Sequence, residues 1–93
     1  MITPHGYTYA GVTIPDHTAS AMEAYVNHGQ PLGGFLTEVF SNQLLGSFAR
    51  ADKDNTYAMV AIAAWVYNEA PVVCWGSRKT VDRWIAQGGL EGM

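Results

Sequence analysis

The longest apolar run of this chain, from Ala58 to Val66, most constrains what it can fold into. Its nine residues fall well short of the roughly 18 that a membrane span needs, so the run predicts a helix in a protein core. Asn55 or Asp54 can cap such a helix, and Pro71 prevents its continuation. Because the run is apolar on every side, we expect a central helix over about residues 56–69.

Turn residues divide the rest of the chain into further helices. Pro15 suits the first turn of a helix that Gly29 ends. Ser77 can cap another helix, which the glycines at 88 and 89 end. Between these two helices, a second helix is predicted to run to about residue 51. Its core face consists of Leu36, Val39, Phe40, Leu44 and Phe48.

The sequence therefore predicts a mainly α fold, a compact four-helix domain with a short extended N-terminal arm. The alternation of Tyr7, Tyr9 and Val12 favours extended chain in that arm. A length of 93 residues leaves room for one hydrophobic core. We expect a single domain over 1–93, made of an arm (1–14), a helical core (15–87) and a tail (88–93).

The low charge content bears on assembly. Charged residues are 14% of the chain and apolar residues 48%, against a typical charged fraction of about 25%. Phe35 and Leu45 lie off the core stripe of the second helix and form a second apolar edge. We expect such an edge to be a subunit contact in a homo-oligomer. A compact monomer with a neutral polar surface is the alternative.

Net charge and cysteine content exclude several classes of protein. A net charge of −3 argues against binding to long nucleic acid, which needs a broad basic face. No membrane segment is predicted. The single cysteine, Cys74, excludes an internal disulfide and fits a cytoplasmic protein.

A candidate phosphate site lies at the start of the last helix. If Ser77 is the cap, the unpaired N–H groups of the first turn point where Arg78 and Lys79 also reach. Helix dipole, N–H donors and cations together recognise phosphate. The structural alternative is an ordinary capped surface helix with solvated basic residues.

Aromatic residues near this helix start indicate a surface on which a ring could stack. Tyr67 and Trp75 flank Asn68, whose amide can read the edge of a purine-like ring. The alternative is that Trp75 closes the end of the helical bundle. Arg50 and Asn42 are secondary candidate contacts, although a cation at a helix C-terminus also has a structural role.

Nothing in the sequence predicts catalysis, a metal or a cofactor. The residues His5, His17 and His28 lack the spacing of a metal site. No carboxylate pair is spaced for acid–base chemistry, and Cys74 between Val73 and Trp75 is expected to be buried and inert.

The order of several short motifs resembles a family of small proteins encoded by tailed bacteriophages. The motifs are YVNHGQPLGG from Tyr25, RAD from Arg50 followed by Asn55, YNEAP from Tyr67, and CWGS from Cys74. The resemblance covers about residues 14–86. Similar chains often carry Asp where this chain has Gln43, so no carboxylate role is carried over to that position.

The resemblance implies a phage protein that acts against host defences in the host cytoplasm, and three functions stay open. The first is to bind and sequester a nucleotide-derived immune signalling molecule, of the cyclic oligonucleotide or cyclic ADP-ribose type, without catalysis. The second is to inhibit a host defence effector by protein–protein contact. The third is a phage accessory or structural role with no ligand.

Overall fold

The computed structural model describes residues 2–93 of the chain. These residues form five α-helices and a two-stranded hairpin. The predicted mainly α class is confirmed, but the predicted count of four helices is wrong. Two short 3-10 turns, Val72–Cys74 and Gly89–Gly92, flank the last helix. The elements are β1 (Thr8–Tyr9), β2 (Val12–Thr13), α1 (Asp16–His28), α2 (Gly34–Phe40), α3 (Leu44–Arg50), α4 (Lys53–Glu69) and α5 (Arg78–Gln87).

The N-terminal arm is an antiparallel hairpin. Thr8 pairs with Thr13, and Tyr9 pairs with Val12. The two residues of the turn, Ala10 and Gly11, both have positive φ angles, 53° and 77°, which a tight hairpin turn requires. The arm lies against α4, so the predicted extended segment is part of the fold.

The core joins α1 to the last third of the chain through two buried hydrogen bonds. The Tyr25 hydroxyl donates to the Cys74 carbonyl oxygen over 2.7 Å, and the Trp84 indole N–H donates to the Tyr25 carbonyl oxygen over 3.1 Å. Trp65 of α4 and Phe40 of α2 are buried beside them. Both hydrogen bonds are shielded from water, so they fix α1 against the Val72–Cys74 turn and α5.

The predicted second helix is broken into α2 and α3. Asn42 lies at the break in a left-handed conformation with φ of 63°, and a helix cannot continue through that backbone. The break redirects α3, so the core stripe that includes Phe40 does not extend along it. The assignment of Leu44 and Phe48 to the core is therefore wrong: they are 68% and 45% exposed.

Helix α4 begins earlier than predicted and is covered on one side only. Asp52 is its cap, accepting a hydrogen bond from the Asn55 backbone N–H over 2.8 Å, so the prediction of Asn55 or Asp54 as the cap is wrong. The expectation of a helix buried on every side is also wrong. Val60 and Tyr67 are exposed, although the opposite side of the helix is in the core.

The caps predicted for the last helix are confirmed, and most of the tail is packed. Ser77 caps α5 by accepting from the Thr80 N–H over 3.1 Å, and Gly88 ends the helix with a positive φ. Beyond it, Gly89 lies so close to α1 that an added Cβ would stand 2.5 Å from the Gly29 nitrogen. The contact brings residues 89–92 onto the end of α1.

Candidate binding groove

A groove of about 350 Å³ runs along the uncovered side of α4. A smaller depression of about 110 Å³ shares the side chains of Val39, Asn42 and Ala63 with it and extends the groove toward α3. The two together form one continuous concave surface between α2, α3 and α4. The larger part is lined by Val39, Asn42, Ala63, Val66, Tyr67 and Trp75.

Each wall of the groove follows from local sequence. On α4, Ala63, Val66 and Tyr67 stand at positions i, i+3 and i+4, which share one helix face. The short Ala63 side chain leaves the floor open. On the opposite wall, the Gly76 N–H donates to the Phe40 carbonyl oxygen over 2.8 Å. This bond holds the segment that carries Trp75 against the end of α2.

An aromatic pair forms one end of the groove. The rings of Tyr67 and Trp75 have their centroids 6.1 Å apart and are tilted by 55°, within the range of favourable aromatic pairs. Tyr67 is exposed, whereas Trp75 is partly buried. The buried indole N–H of Trp75 has no hydrogen-bond acceptor among residues 2–93. A buried donor left without an acceptor costs about 1–3 kcal/mol, so a ligand acceptor that reached this N–H after a small shift of the ring would relieve that cost.

The groove is electrically neutral, because none of its lining residues is charged. The nearby cations are engaged elsewhere: Arg50 Nε lies 3.6 Å from a Glu38 carboxylate oxygen, and Arg78 Nε lies 3.3 Å from an Asp82 oxygen. The Arg78–Asp82 pair is largely exposed and contributes little to stability, whereas in the other pair Glu38 is partly buried. Lys79 is exposed and forms no ion pair within the described residues.

The structure brings together three of the eight residues predicted to bind a ligand, Asn42, Tyr67 and Trp75. Ser77, Arg78 and Lys79 lie at the start of α5, just beyond Trp75 in the chain but outside the groove. Arg50 ends α3, and the exposed Asn68 follows Tyr67 without lining the groove.

Sequence reasoning missed the apolar lining residues Val39, Ala63 and Val66, which it assigned to the core. A signal was present, because Ala63 and Val66 share a helix face with Tyr67. That signal indicates a common face without showing whether another element covers it.

A polar cluster outside the groove lies where the arm meets α1. His5 Nε2 is 3.0 Å from the Ser20 hydroxyl and 3.4 Å from a Glu23 carboxylate oxygen, and its Nδ1 is 3.6 Å from Asp16. The Asp16 side chain is almost fully exposed. Neither part of the groove described above is lined by a residue of this cluster. The contacts fasten the arm to α1.

The thiol of Cys74 is inaccessible. The residue is fully buried, and burial raises the pKa of the Cys74 thiol to about 12, so it stays protonated near neutral pH. Within residues 2–93, no group of three or more His, Cys, Asp or Glu side chains is placed to hold a metal ion. None of the helices in the same range is long and apolar enough to cross a membrane.

Comparison with known proteins gives no relative from which a role could be transferred. No protein-family model, no curated protein and no solved structure matches this chain.

Proposed function

We propose that the protein binds a nucleotide-derived small molecule in the groove and sequesters it without catalysis. The observation that carries the proposal is the meeting of Tyr67, Trp75 and Asn42 around one concave, mostly apolar surface. Small-molecule sites typically combine apolar walls with a few placed polar groups. Here the polar groups are the Asn42 amide and the Trp75 N–H.

The shape of the groove favours a flat ring. A base would stack on the exposed Tyr67 ring, as bases stack on aromatic side chains in nucleic-acid binding proteins. Its edge would accept a hydrogen bond from Trp75 and pair with the Asn42 amide. A volume of about 350 Å³ is near the lower end of the range for ligand sites, so we expect it to take one base of a larger molecule.

Phosphate groups of such a ligand would lie outside the neutral groove. The start of α5 is two residues from Trp75, where Ser77 already caps the helix and leaves the N–H groups of Arg78 and Lys79 free for an anion. Lys79 would approach as a free cation, and Arg78 would exchange its exposed pairing with Asp82 for phosphate. Arg50 and Asn68 are proposed as secondary contacts.

We propose the chemical class of the ligand on the resemblance of the sequence motifs to phage proteins. A cyclic oligonucleotide or a cyclic ADP-ribose derivative carries both a base for the groove and phosphate for the start of α5. Holding such a signal without turnover would suppress a host defence that depends on it, in the host cytoplasm. We also propose that the protein acts as a homo-oligomer.

A second candidate function is inhibition of a host defence effector by protein–protein contact. The exposed side chains of Leu44, Leu45 and Phe48 on α3 favour it, since large exposed apolar patches mark interaction surfaces. This function would not need the cations at the start of α5.

Native mass spectrometry with a pool of cyclic di- and trinucleotides and ADP-ribose derivatives tests the first proposal. We expect one defined ligand mass on the protein. Tyr67→Ala should weaken binding of that ligand by about tenfold or more, the loss of one stacking contact. Tyr57→Ala is the matched control, because Tyr57 is equally exposed on α4 and does not line the groove.

Two further variants separate the base site from the phosphate site. Trp75→Phe keeps an aromatic ring in place of the indole and removes the N–H, so it should weaken ligand binding without changing the class of ligand bound. Arg78→Ala with Lys79→Ala should make binding weaker and less dependent on salt. Absence of any ligand mass, or full binding by Tyr67→Ala, contradicts the groove proposal and favours the second candidate.

A further inference from the structure

One side of the molecule is apolar and uncovered. We call it the α3–α4 face and define it by Leu44, Leu45, Phe48, Val60 and Tyr67. All five lie on the groove or within one helical turn of it. From residue 39 to 49 and from 55 to 68, no residue carries a charge. A surface of this composition is typical of a buried subunit contact rather than of a solvated exterior.

The size of the face is close to what a stable contact needs. Leu45 is 82% exposed and Tyr67 74%. At roughly 200 Å² for a fully exposed large side chain, the five residues expose on the order of 600 Å². That is the upper end for the largest apolar patch of a typical monomer, about 300–600 Å². Two such faces together bury about 1,200 Å², where specific interfaces begin.

We infer that a second copy of this chain covers the α3–α4 face, with the two copies related by a two-fold axis. A neutral apolar face selects a partner surface that is also neutral and apolar, and a second copy presents an identical one. A two-fold axis uses the same face on both copies, so every contact occurs twice. No element within residues 2–93 covers the face.

The geometry of α4 specifies how the copies meet. A two-fold axis across the middle of the helix makes the two α4 helices antiparallel, which aligns their dipoles favourably. The exposed Ala63 lies near that middle, so it faces its own copy across the axis. Lys53, seven residues before Val60 on the same side, then lies beside the C-terminal end of the other helix, where a cation is favoured.

Pairing in this way has a consequence for the groove, because Leu44 and Tyr67 belong to both surfaces. The second copy would roof the open side of the groove and shield it from water. The inference concerns assembly and stands whether or not the groove binds a nucleotide.

Cysteine cross-linking tests the arrangement. Ala63→Cys, and separately Val60→Cys, should form a disulfide-linked dimer under mild oxidation, because a residue near the axis faces its own copy. Cys74 is fully buried and does not compete. Ala86→Cys, exposed on α5, is the matched control and should stay uncross-linked.

Light scattering on size-exclusion fractions tests the face itself. The unmodified protein should have the mass of two copies. Leu45→Glu should raise the dissociation constant of the dimer by about 30-fold or more, because it places a charge in an apolar contact. Val72→Glu is the control, since Val72 is similarly exposed and lies outside the face. Both positions are open to solvent, so neither change should unfold a single copy.

Three outcomes would overturn the inference. The first is a monomer at millimolar concentration. The second is a dimer that Leu45→Glu leaves intact, since its contact would lie elsewhere. The third is an assembly in which neither Ala63→Cys nor Val60→Cys cross-links, since the copies would not be related by this axis. Ligand binding by native mass spectrometry is measured separately, so failure of one proposal is distinguishable from failure of the other.

Discussion

The two sides of α4 are alike in composition and differ in what covers them. One side carries Ala58, Ile62 and Trp65, all buried; the other carries Val60 and Tyr67, both exposed. The covered side is fastened by specific polar contacts as well as by packing, such as the hydrogen bond of 2.6 Å from the Thr18 hydroxyl of α1 to the Asn55 side chain. Apolar composition therefore predicts that a helix forms and must be buried. It does not show which element, or which partner, buries each side of the helix.

The contrast separates stability from function. On the covered side, a lost side chain leaves a cavity or an unpaired carbonyl. On the uncovered side, a lost side chain removes only a surface available to a ligand or a partner. The predictions below test that division, beginning with the largest effect.

Trp84→Ala should lower the free energy of unfolding by about 3–5 kcal/mol, because the residue is 1% exposed and its indole N–H is bonded to a buried carbonyl. Tyr67→Ala, an aromatic truncation on the uncovered side, should change the unfolding free energy of the monomeric Leu45→Glu background by less than about 0.5 kcal/mol. Urea denaturation followed by circular dichroism measures both. Similar costs for the two changes would show that Tyr67 is part of the core.

Alkaline pH should lower the stability of the folded chain through two groups buried in its core. Burial raises the pKa of Cys74 from 9.0 to about 12 and raises that of Tyr25 above its usual value of 10.0. Above pH 9 the unfolded chain therefore releases protons that the native chain keeps, so stability falls as pH rises. The slope should correspond to about one proton above pH 9 and about two above pH 10.

Cys74→Ala should remove about one proton from that slope, as measured by urea denaturation at a series of pH values. Val73→Ala is the control, since the neighbouring valine is exposed and does not ionise. A slope unchanged by Cys74→Ala would mean that the thiol ionises equally in the native protein.

Substitutions of Asn42 are expected to have a small effect on stability, and the alanine and glycine variants should differ. Asn42→Ala should cost about 1 kcal/mol, because alanine adopts a φ of 63° less readily than asparagine, whose short polar side chain can bond to the local backbone. Asn42→Gly should be neutral or slightly stabilising, since glycine adopts this conformation freely. Equal costs for both would indicate that the Asn42 side chain, rather than its backbone, holds the break between α2 and α3.

Much of the fold was predictable because its signals are local. Ser77 at a cap, Gly29 and Gly88 at helix ends, and the apolar run of α4 each act through neighbouring residues. The break at Asn42 was not predictable, because Leu44 and Phe48 continue the helical spacing of apolar residues that begins at Phe40. Periodicity cannot reveal one left-handed residue within an otherwise helical pattern.

The candidate groove was predictable only in part, for a related reason. Tyr67, Trp75 and Asn42 were singled out by residue type, and the fold brings them together through the contact of Gly76 with Phe40. That contact joins residues far apart in the chain, so no local pattern encodes it. Arg78 lies outside the groove although it is near Trp75 in the chain. This separation depends on how α5 packs in the fold, which the local sequence does not show.

The burial of the tryptophans has a consequence for optical measurements. Trp65 and Trp84 are almost fully enclosed, and Trp75 alone of the three lines the groove, beside Tyr67. The emission of two indoles is therefore fixed by the core and follows unfolding, whereas the third senses what enters the groove. Intrinsic fluorescence would report occupancy of the groove without any attached dye, and it would separate occupancy from loss of the fold.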